Sequence, residues 1–223
     1  MKKRVSVFCD TETYKQKIYD ETEQKEIVVN RLYLLGLLVK DWKNRDRALS
    51  FTNIIDFLKW IKDHSYKKQV VYDIYFYNAT YDVTVFNYEF YLLMQDKSLG
   101  FKIKHKELIN DKDLFISVKY STKDWEIRII DLWQWDKNQK IENYTRLLSP
   151  EHEQKGIIDY DKWDLELIKE GEETNWYFQY RNSNGELKTS SYQDELIYLS
   201  KDLLVMPKIK KHIEKTKAKS FVS

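Results

Sequence analysis

Two acidic side chains near the amino terminus have the spacing of a metal-binding pair. Asp10 and Glu12 follow an apolar, β-forming run at residues 4–9. On a strand, residues two apart project to the same side, and carboxylate oxygens are the ligands that Mg²⁺ and Mn²⁺ prefer. The pair therefore predicts a site for a hard divalent cation. The alternative for Asp-x-Glu is a solvated strand end.

A third carboxylate, Asp82, lies where a strand is predicted to meet a helix. It follows the apolar run at residues 70–77 by a few positions. Ligands of open α/β sheets commonly bind at the carboxyl ends of strands, so Asp82 could join the first pair. The alternative is that Asn78 caps the following helix and Asp82 complements the helix dipole.

A tyrosine and an aspartate share one face of the last predicted helix. Tyr198 and Asp202 are four residues apart, which places them one helical turn from each other. The carboxylate could bind metal while the phenol orients a water molecule. A helical Tyr/Asp pair alone is also typical of ordinary surface amphipathicity, but four carboxylates and a helical tyrosine at element ends form a specific joint pattern.

The elements that must position these residues follow from periodicity. We predict a strand over residues 4–10 that ends at 10–13, then a polar connection at 15–25. Apolar runs at 27–30 and 32–40 complete an antiparallel meander. Helices are predicted at 54–61, with Thr52 or Asn53 as N-cap, and at 81–95.

The second half of the chain predicts further strands and a closing helix. Strands are expected at residues 70–77, 114–120 and 125–132, and a surface hairpin at 173–190 turns at residues 182–185. The final helix begins near Ser191 and is kinked or interrupted at Pro207. This order predicts one compact α/β domain with a mixed sheet covered by helices.

Bulk composition excludes some classes of protein. The 223 residues are 42% hydrophobic, which is enough for a substantial core. The net charge of +2 does not by itself indicate nucleic acid. Cys9 is the only cysteine, so no internal disulfide can form, and we expect it to be a buried apolar residue. No segment suits a signal peptide or a membrane span, so a soluble cytoplasmic protein with no membrane partner is expected.

Three motifs resemble the exonuclease motifs of DEDD nucleases: Asp10-Thr11-Glu12, Asn78-x-x-Tyr81-Asp82 and Tyr198-x-x-x-Asp202. The tyrosine in the third motif resembles that of the DEDDy branch rather than the DEDDh branch. The four histidines have no metal-ligand spacing, which also argues against the DEDDh branch. The sequence KGIIDY at residues 155–160 resembles the lysine motif of protein-primed family B DNA polymerases of small tailed phages. The likeness extends from residue 4 to about residue 220.

The resemblance implies a fold, a chemistry and cofactors. The fold would be a ribonuclease H-like mixed β-sheet flanked by helices. Two divalent cations, Mg²⁺ or Mn²⁺, would lie about 4 Å apart, and their ligands would be Asp10, Glu12, Asp82 and Asp202. Tyr198 would position and deprotonate the attacking water, and Lys155 would orient the water or a metal-ligating carboxylate.

The resemblance also implies partners. Thr13, Asn78 and Tyr81 match positions that contact the 3′ end of single-stranded DNA, by contacts that tolerate any base. A separate polymerase domain or subunit and a terminal priming protein are further expected partners. The sequence departs from the family at Asp131-Leu132-Trp133, where Asp-Ser-Leu is frequent, so a hydroxyl ligand to DNA is missing there.

Three functions stay open at this point. Nothing resembling polymerase palm motifs follows, and residues 217–223 lie close to where a polymerase domain would begin, so we expect a protein that cannot synthesise DNA by itself. The leading hypothesis is a proofreading 3′→5′ exonuclease of a phage acting in its bacterial host. The alternatives are a free-standing DEDDy nuclease acting on RNA or host DNA, and a non-catalytic fragment that binds DNA or a priming protein.

Overall fold

The computed structural model describes residues 3–40, 45–65, 70–96, 102–109, 115–135, 140–149, 161–170 and 176–220. The strands in these ranges are β1 (Lys3–Asp20), β2 (Lys25–Lys40), β3 (Asp46–Phe51), β4 (Val70–Phe76), β5 (Lys104–Ile109), β6 (Phe115–Ser121), β7 (Trp125–Asp131), β8 (Trp163–Lys169), β9 (Trp176–Arg181) and β10 (Leu187–Ser191). The helices are α1 (Ile54–Ser65), α2 (Thr80–Gln95), α3 (Ile141–Leu148) and α4 (Tyr192–Ser220).

The long strand β1 is the centre of the sheet. Along one edge it pairs antiparallel with β2, as far as Asp20 opposite Lys25. Along the other edge it pairs parallel with β4 up to Phe8, and Lys15 then pairs with Trp163 of β8. Between Phe8 and Lys15, this second edge pairs with no strand in the described ranges. The sheet therefore opens beside the segment of β1 that carries Asp10 and Glu12.

The remaining strands complete one mixed sheet. Its order is β10-β9-β8-β1-β4-β7-β6-β5, in which β8 and β4 pair with different segments of the same edge of β1. Strand β2 pairs with the opposite edge of β1, and β3 pairs with β2. Strands β1, β4 and β7 are mutually parallel, with Phe8 opposite Tyr75 and Phe76 opposite Asp131. The carboxyl ends of β4 and β7 therefore lie at the same level as the middle of β1.

Helices cover both faces of the sheet, and the chain forms a compact α/β domain. On one face, Val7 and Cys9 of β1 pack in a core with residues of α1 and α2, such as Phe57 and Phe86. On the other face, Phe8 packs in a cluster that includes Leu199 of α4. The alternation of β1 side chains thus directs successive residues toward α2 and toward α4 in turn.

The prediction that the first strand ends at residues 10–13 is wrong. Residues 15–20, predicted to be part of a polar connection, continue β1, and only residues 21–24 form the turn. The runs at 27–30 and 32–40 are one strand, β2. The physical reason is the hairpin, because backbone pairing with β2 stabilises the outer half of β1 although side chains such as Lys17 and Tyr19 remain exposed.

Most other element predictions are confirmed. The helix at 54–61 begins as expected, since the side-chain oxygen of Asn53 accepts a bond of 2.9 Å from the N–H of Asp56. The turn at 182–185 joins β9 to β10, and Gly185 has a φ of 79°. Helix α4 continues through Pro207 and is not interrupted there. Strands β3, β5 and β8 and helix α3 were not predicted.

Candidate active site

Asp10 lies on the face of the sheet that α4 covers. In the β1–β2 register it is directly opposite Gly36, and directly opposed residues project to the same face. A Cβ at Gly36 would stand only 2.6 Å from Cδ2 of Leu199 and 2.7 Å from Cδ1 of Leu203. Because glycine has no side chain, α4 can approach the sheet closely beside Asp10.

Thr11 connects β1 to the start of α2 on the opposite face. Its hydroxyl donates a hydrogen bond of 2.5 Å to Oδ1 of Asp82. Asp82 stands in the first turn of α2 and is only 6% exposed. The middle of β1 and the first turn of α2 are therefore joined by one side-chain bond. The prediction that Asp82 lies where a strand meets a helix is confirmed, since β4 ends at Phe76 and α2 begins at Thr80.

The ionisation of Asp82 is perturbed by its surroundings. Burial raises the pKa of its carboxyl to about 7, and the negative charges of Asp131 and Asp202 contribute to this rise. The hydrogen bond from Thr11 acts in the opposite direction and lowers the pKa. Three carboxylates from α2, β7 and α4 are thus close enough for their charges to interact.

Tyr198 and Asp202 are buried on the face of α4 that meets the sheet. They are 4% and 5% exposed and lie one helical turn apart, as their spacing predicts. Leu199 and Leu203, the next residue in each case, pack against Tyr33, Leu34 and Leu38 of β2. The apolar packing of α4 therefore holds the phenol and the carboxylate at the sheet surface.

Glu12 is half-buried and lies beside an irregularity in the sheet. The register of β1 with β2 shifts between Glu12 and Thr13, so that Tyr33 is the extra residue of a bulge. Burial raises the pKa of the Tyr33 hydroxyl well above its ordinary value, and the negative charge of Glu12 raises it further. Tyr33 is therefore protonated at neutral pH and lies within electrostatic reach of Glu12.

The three residues that were expected to contact DNA surround the same junction. The hydroxyls of Thr13 and Tyr81 share a hydrogen bond, and the Tyr81 ring is 45% exposed. Asn78 is exposed, has a φ of 59°, and donates its backbone N–H to Oδ1 of Asp131 at 2.9 Å. The alternative in which Asn78 caps α2 is wrong, because the cap position is Ala79.

Asp131 also belongs to the candidate site, although it was not among the site residues predicted from the sequence. It ends β7, is buried, and also accepts a bond of 3.0 Å from the N–H of Trp133. A groove of about 350 Å³ extends from Asp131 and is lined by residues including Lys119, Arg128 and Trp135. The signal available in the sequence was a carboxylate at the end of a second apolar strand, in the place already used to select Asp82.

The donor set suits a hard divalent cation. Across the ranges that the structure describes, no three His, Cys, Asp or Glu side chains are gathered into a ready-made metal site. The carboxylates nevertheless repel one another, as the raised pKa of Asp82 indicates, and a bound cation would relieve that repulsion. Their oxygens are those that Mg²⁺ and Mn²⁺ prefer. Lys155 and its motif lie outside the described residues.

Comparison of the chain with protein-family models, with curated proteins and with solved structures returned no match. None of the described helices is both long enough and apolar enough to cross a membrane.

Cys9 is buried as expected. Burial raises the pKa of its thiol, and the negative charges of Asp82 and Asp10 raise it further. A thiolate nucleophile is therefore disfavoured at this position.

Proposed function

We propose that this protein is a metal-dependent 3′→5′ exonuclease that hydrolyses the ends of single-stranded DNA to nucleoside monophosphates. The observation that carries the proposal is the mutual influence of buried carboxylates from separate elements. The charges of Asp131 and Asp202 raise the pKa of Asp82. The carboxyl ends of β4 and β7, which Asp82 follows and Asp131 ends, lie level with the segment of β1 that carries Asp10 and Glu12. Carboxylates held together in this way are suited to binding cations.

The chemistry of the proposed reaction divides between cations and side chains. Asp10, Glu12, Asp82 and Asp202 would hold two divalent cations, which when bound stabilise the attacking and leaving oxygens of an in-line displacement. Water attacks the terminal phosphorus, the bond from phosphorus to the 3′ oxygen of the preceding nucleotide breaks, and that oxygen takes up a proton. The products are a nucleoside monophosphate and a DNA strand with a free 3′ hydroxyl.

Tyr198 is the residue proposed to position the attacking water. Its hydroxyl is buried one turn from Asp202, so it can accept a hydrogen bond from a water molecule held beside that carboxylate. Such a bond orients a lone pair of the water toward phosphorus, and positioning of this kind contributes to catalysis. Lys155, in the lysine motif, is proposed to assist at the same water.

Single-stranded DNA fits the surroundings of the carboxylates. The exposed ring of Tyr81, fixed by its bond to Thr13, offers a stacking surface for a base. The groove beside Asp131 adds two cationic side chains, Lys119 and Arg128, and the indole of Trp135. Aromatic surfaces with nearby cations bind single strands with little preference for sequence, which is what removal of any terminal nucleotide requires.

A ribonuclease H-like fold and a role in phage DNA replication are part of the same proposal. Strands β3-β2-β1-β4-β7, with β2 opposed to the others and α1, α2 and α4 packed on them, support a ribonuclease H-like arrangement. The motifs support a proofreading module of a protein-primed phage family B DNA polymerase. Its partners would be a polymerase domain or subunit and a priming protein, in the cytoplasm of the bacterial host.

A labelled oligonucleotide tests the activity. A 5′-labelled single-stranded DNA is incubated with Mg²⁺, Mn²⁺ or EDTA, and wild type is compared with Asp10→Ala/Glu12→Ala. The expected result is a ladder that shortens from the 3′ end, requires metal and is lost in the double variant. An RNA strand of the same sequence is a parallel substrate, since the 2′-hydroxyl distinguishes the two. If the RNA strand is cleaved faster, RNA is the substrate instead of DNA. If neither strand is cleaved, the proposal is contradicted.

A further inference from the structure

A fully buried ion pair joins α4 to the sheet beside the proposed active site. Nζ of Lys162 donates a bond of 2.6 Å to Oε1 of Glu195, and the two side chains are 2% and 1% exposed. The hydroxyl of Tyr33 donates to Oε2 of the same glutamate at 2.7 Å. Lys162 also donates to the Tyr33 oxygen. The three side chains, here called the Lys162 cluster, thus form a closed ring of hydrogen bonds.

Stability alone does not explain this arrangement. Removing two charges from water is costly, and apolar side chains of similar size often replace a buried ion pair without loss of stability. Buried polar groups that bond to one another do, however, allow only a narrow range of relative positions. The Lys162 cluster is therefore suited to fixing the relative positions of the elements that supply its members.

Those elements are the ones that carry the proposed metal ligands. Lys162 directly precedes β8, and its carbonyl accepts a bond of 2.8 Å from the N–H of Lys15 on β1. Tyr33 is the bulge residue opposite Glu12 and Thr13, and the charge of Glu12 reaches its hydroxyl. Two sides of the Lys162 cluster are thus anchored to the segment of β1 that contains Glu12.

The third side is anchored to the helix that carries Tyr198 and Asp202. Glu195 precedes them by three and seven residues, so all three project from one face of α4. Like Tyr198 and Asp202, Glu195 is buried against the sheet. A bond that fixes Glu195 along and around the helix axis therefore also fixes the two residues that follow it on the same face.

We propose that the Lys162 cluster is a positioning unit that sets Tyr198 and Asp202 of α4 against Asp10 and Glu12 of β1 for divalent metal binding. The inference rests on the proposed function, because it assigns the cluster a role at that same site. None of its three side chains is a metal ligand in this account. Outer partners that orient metal ligands commonly change metal affinity by 10–100-fold when they are replaced.

The test compares two ion pairs that lie on β1 or beside it. Lys162→Met/Glu195→Leu replaces the buried pair without leaving an unpaired charge. Arg4→Met/Asp73→Leu makes the same exchange at the bond of 2.7 Å between Arg4 and Asp73, six residues before Asp10 on β1. The affinity for Mn²⁺ alone is measured by electron paramagnetic resonance of the free ion, and folding is checked by circular dichroism and thermal melting.

The expected result is a Mn²⁺ affinity at least tenfold weaker in Lys162→Met/Glu195→Leu, with an unchanged affinity in the Arg4 and Asp73 variant. If the first variant fails to fold, Tyr33→Phe serves in its place, since it keeps the ion pair but removes the phenol bonds, and a two- to tenfold loss is expected. Equal Mn²⁺ affinity in wild type and the cluster variants overturns the positioning role.

The same measurements separate this inference from the proposed function. Normal Mn²⁺ binding by wild type, weakened in the cluster variants, supports the positioning role even if no oligonucleotide is cleaved, in which case the nuclease proposal alone fails. Absence of Mn²⁺ binding by well-folded wild type overturns both. Cleavage of DNA by all variants at the same Mn²⁺ requirement overturns the positioning role and leaves the nuclease proposal intact.

Discussion

Gly36 lies directly opposite Asp10 in the β1–β2 register, and the position that its Cβ would occupy is 2.6 Å from Cδ2 of Leu199. The close approach of α4 to the sheet thus occurs beside the first proposed metal ligand. A side chain at this position would clash with Leu199 and Leu203 of the neighbouring helix. The role of Gly36 is to bring Tyr198 and Asp202, on the same helix as Leu199, to the strand that carries Asp10.

Gly36→Ala should displace α4. The added methyl group would overlap two leucine side chains, and overpacking of this kind typically costs about 1–3 kcal/mol. We expect at least a tenfold loss of nuclease rate per folded molecule. Gly185→Ala is the control, because Gly185 has a φ of 79° and no atom near its missing Cβ, so it carries a backbone cost of about 1–3 kcal/mol away from the site. Equal rates in the two variants would refute the role of Gly36.

Thr11→Val should weaken the use of metal at neutral pH. The hydroxyl of Thr11 lowers the pKa of Asp82, so its removal leaves a larger fraction of Asp82 protonated at pH 7. The Mg²⁺ concentration that gives half-maximal rate should rise several-fold at pH 7 and return toward the wild-type value at pH 9. Thr11→Ser, which keeps the donor, should behave as wild type. An equal shift at both pH values would indicate a packing effect instead.

The metal-free protein should lose stability as pH rises from about 4 to about 7. The pKa of Asp82 is about 7 in the folded state against an ordinary value of 3.8, so between these values the folded state holds a proton that the unfolded state has released. Raising the pH therefore disfavours folding in this window. The measurement is the urea midpoint in EDTA at pH 5 and pH 8, for wild type and Asp82→Asn. A wild-type decrease no larger than that of Asp82→Asn would count against the shifted carboxyl.

Tyr198→Phe should separate catalysis from metal binding. Loss of a hydroxyl that orients water should lower kcat about 100-fold, while Mn²⁺ affinity stays within twofold because the carboxylates remain. Tyr192→Phe is the control on the same helix, since its hydroxyl bonds to Ser50 at 2.8 Å on β3. A similar kcat in both variants would remove Tyr198 from the mechanism.

Sequence patterns predicted those residues of the candidate site whose signals lie within a few positions of one another in the chain. Asp82 and the pair Tyr198 and Asp202 could be placed because a strand end and a helical spacing are encoded within a few residues. The length of β1 could not be read in this way, because its outer half is stabilised by hairpin pairing while residues such as Lys17 stay exposed. Hydrophobic periodicity arises where one face of a strand is buried, and a half-exposed hairpin buries too few side chains to produce it.

Contacts between residues far apart in the chain could not be predicted from the sequence. The role of Gly36 depends on Leu199, which is more than 160 residues away, and nothing around Lys162 indicates that it would be buried against Glu195. Glu195 did carry a signal, since it precedes Tyr198 by three residues on one helix face. Asp131 could have been selected by the argument that selected Asp82, because Asp131 ends β7 and Asp82 follows β4, and these two apolar strands are parallel neighbours.

Two neutralising substitutions on α4 test most directly whether the carboxylates beside the opening of the sheet at β1 hold catalytic metal. Asp202→Asn changes a buried carboxylate of the site, and Asp194→Asn makes the same change at an exposed position two turns earlier. Because the charge of Asp202 raises the pKa of Asp82, Asp202→Asn should be at least as stable as wild type in EDTA.

The measured quantity is the rate of release of the 3′-terminal nucleotide from single-stranded DNA in Mg²⁺. We predict that Asp202→Asn is slower than wild type by at least 100-fold while Asp194→Asn stays within twofold of it. Two folded variants that release nucleotides at the wild-type rate would contradict the account.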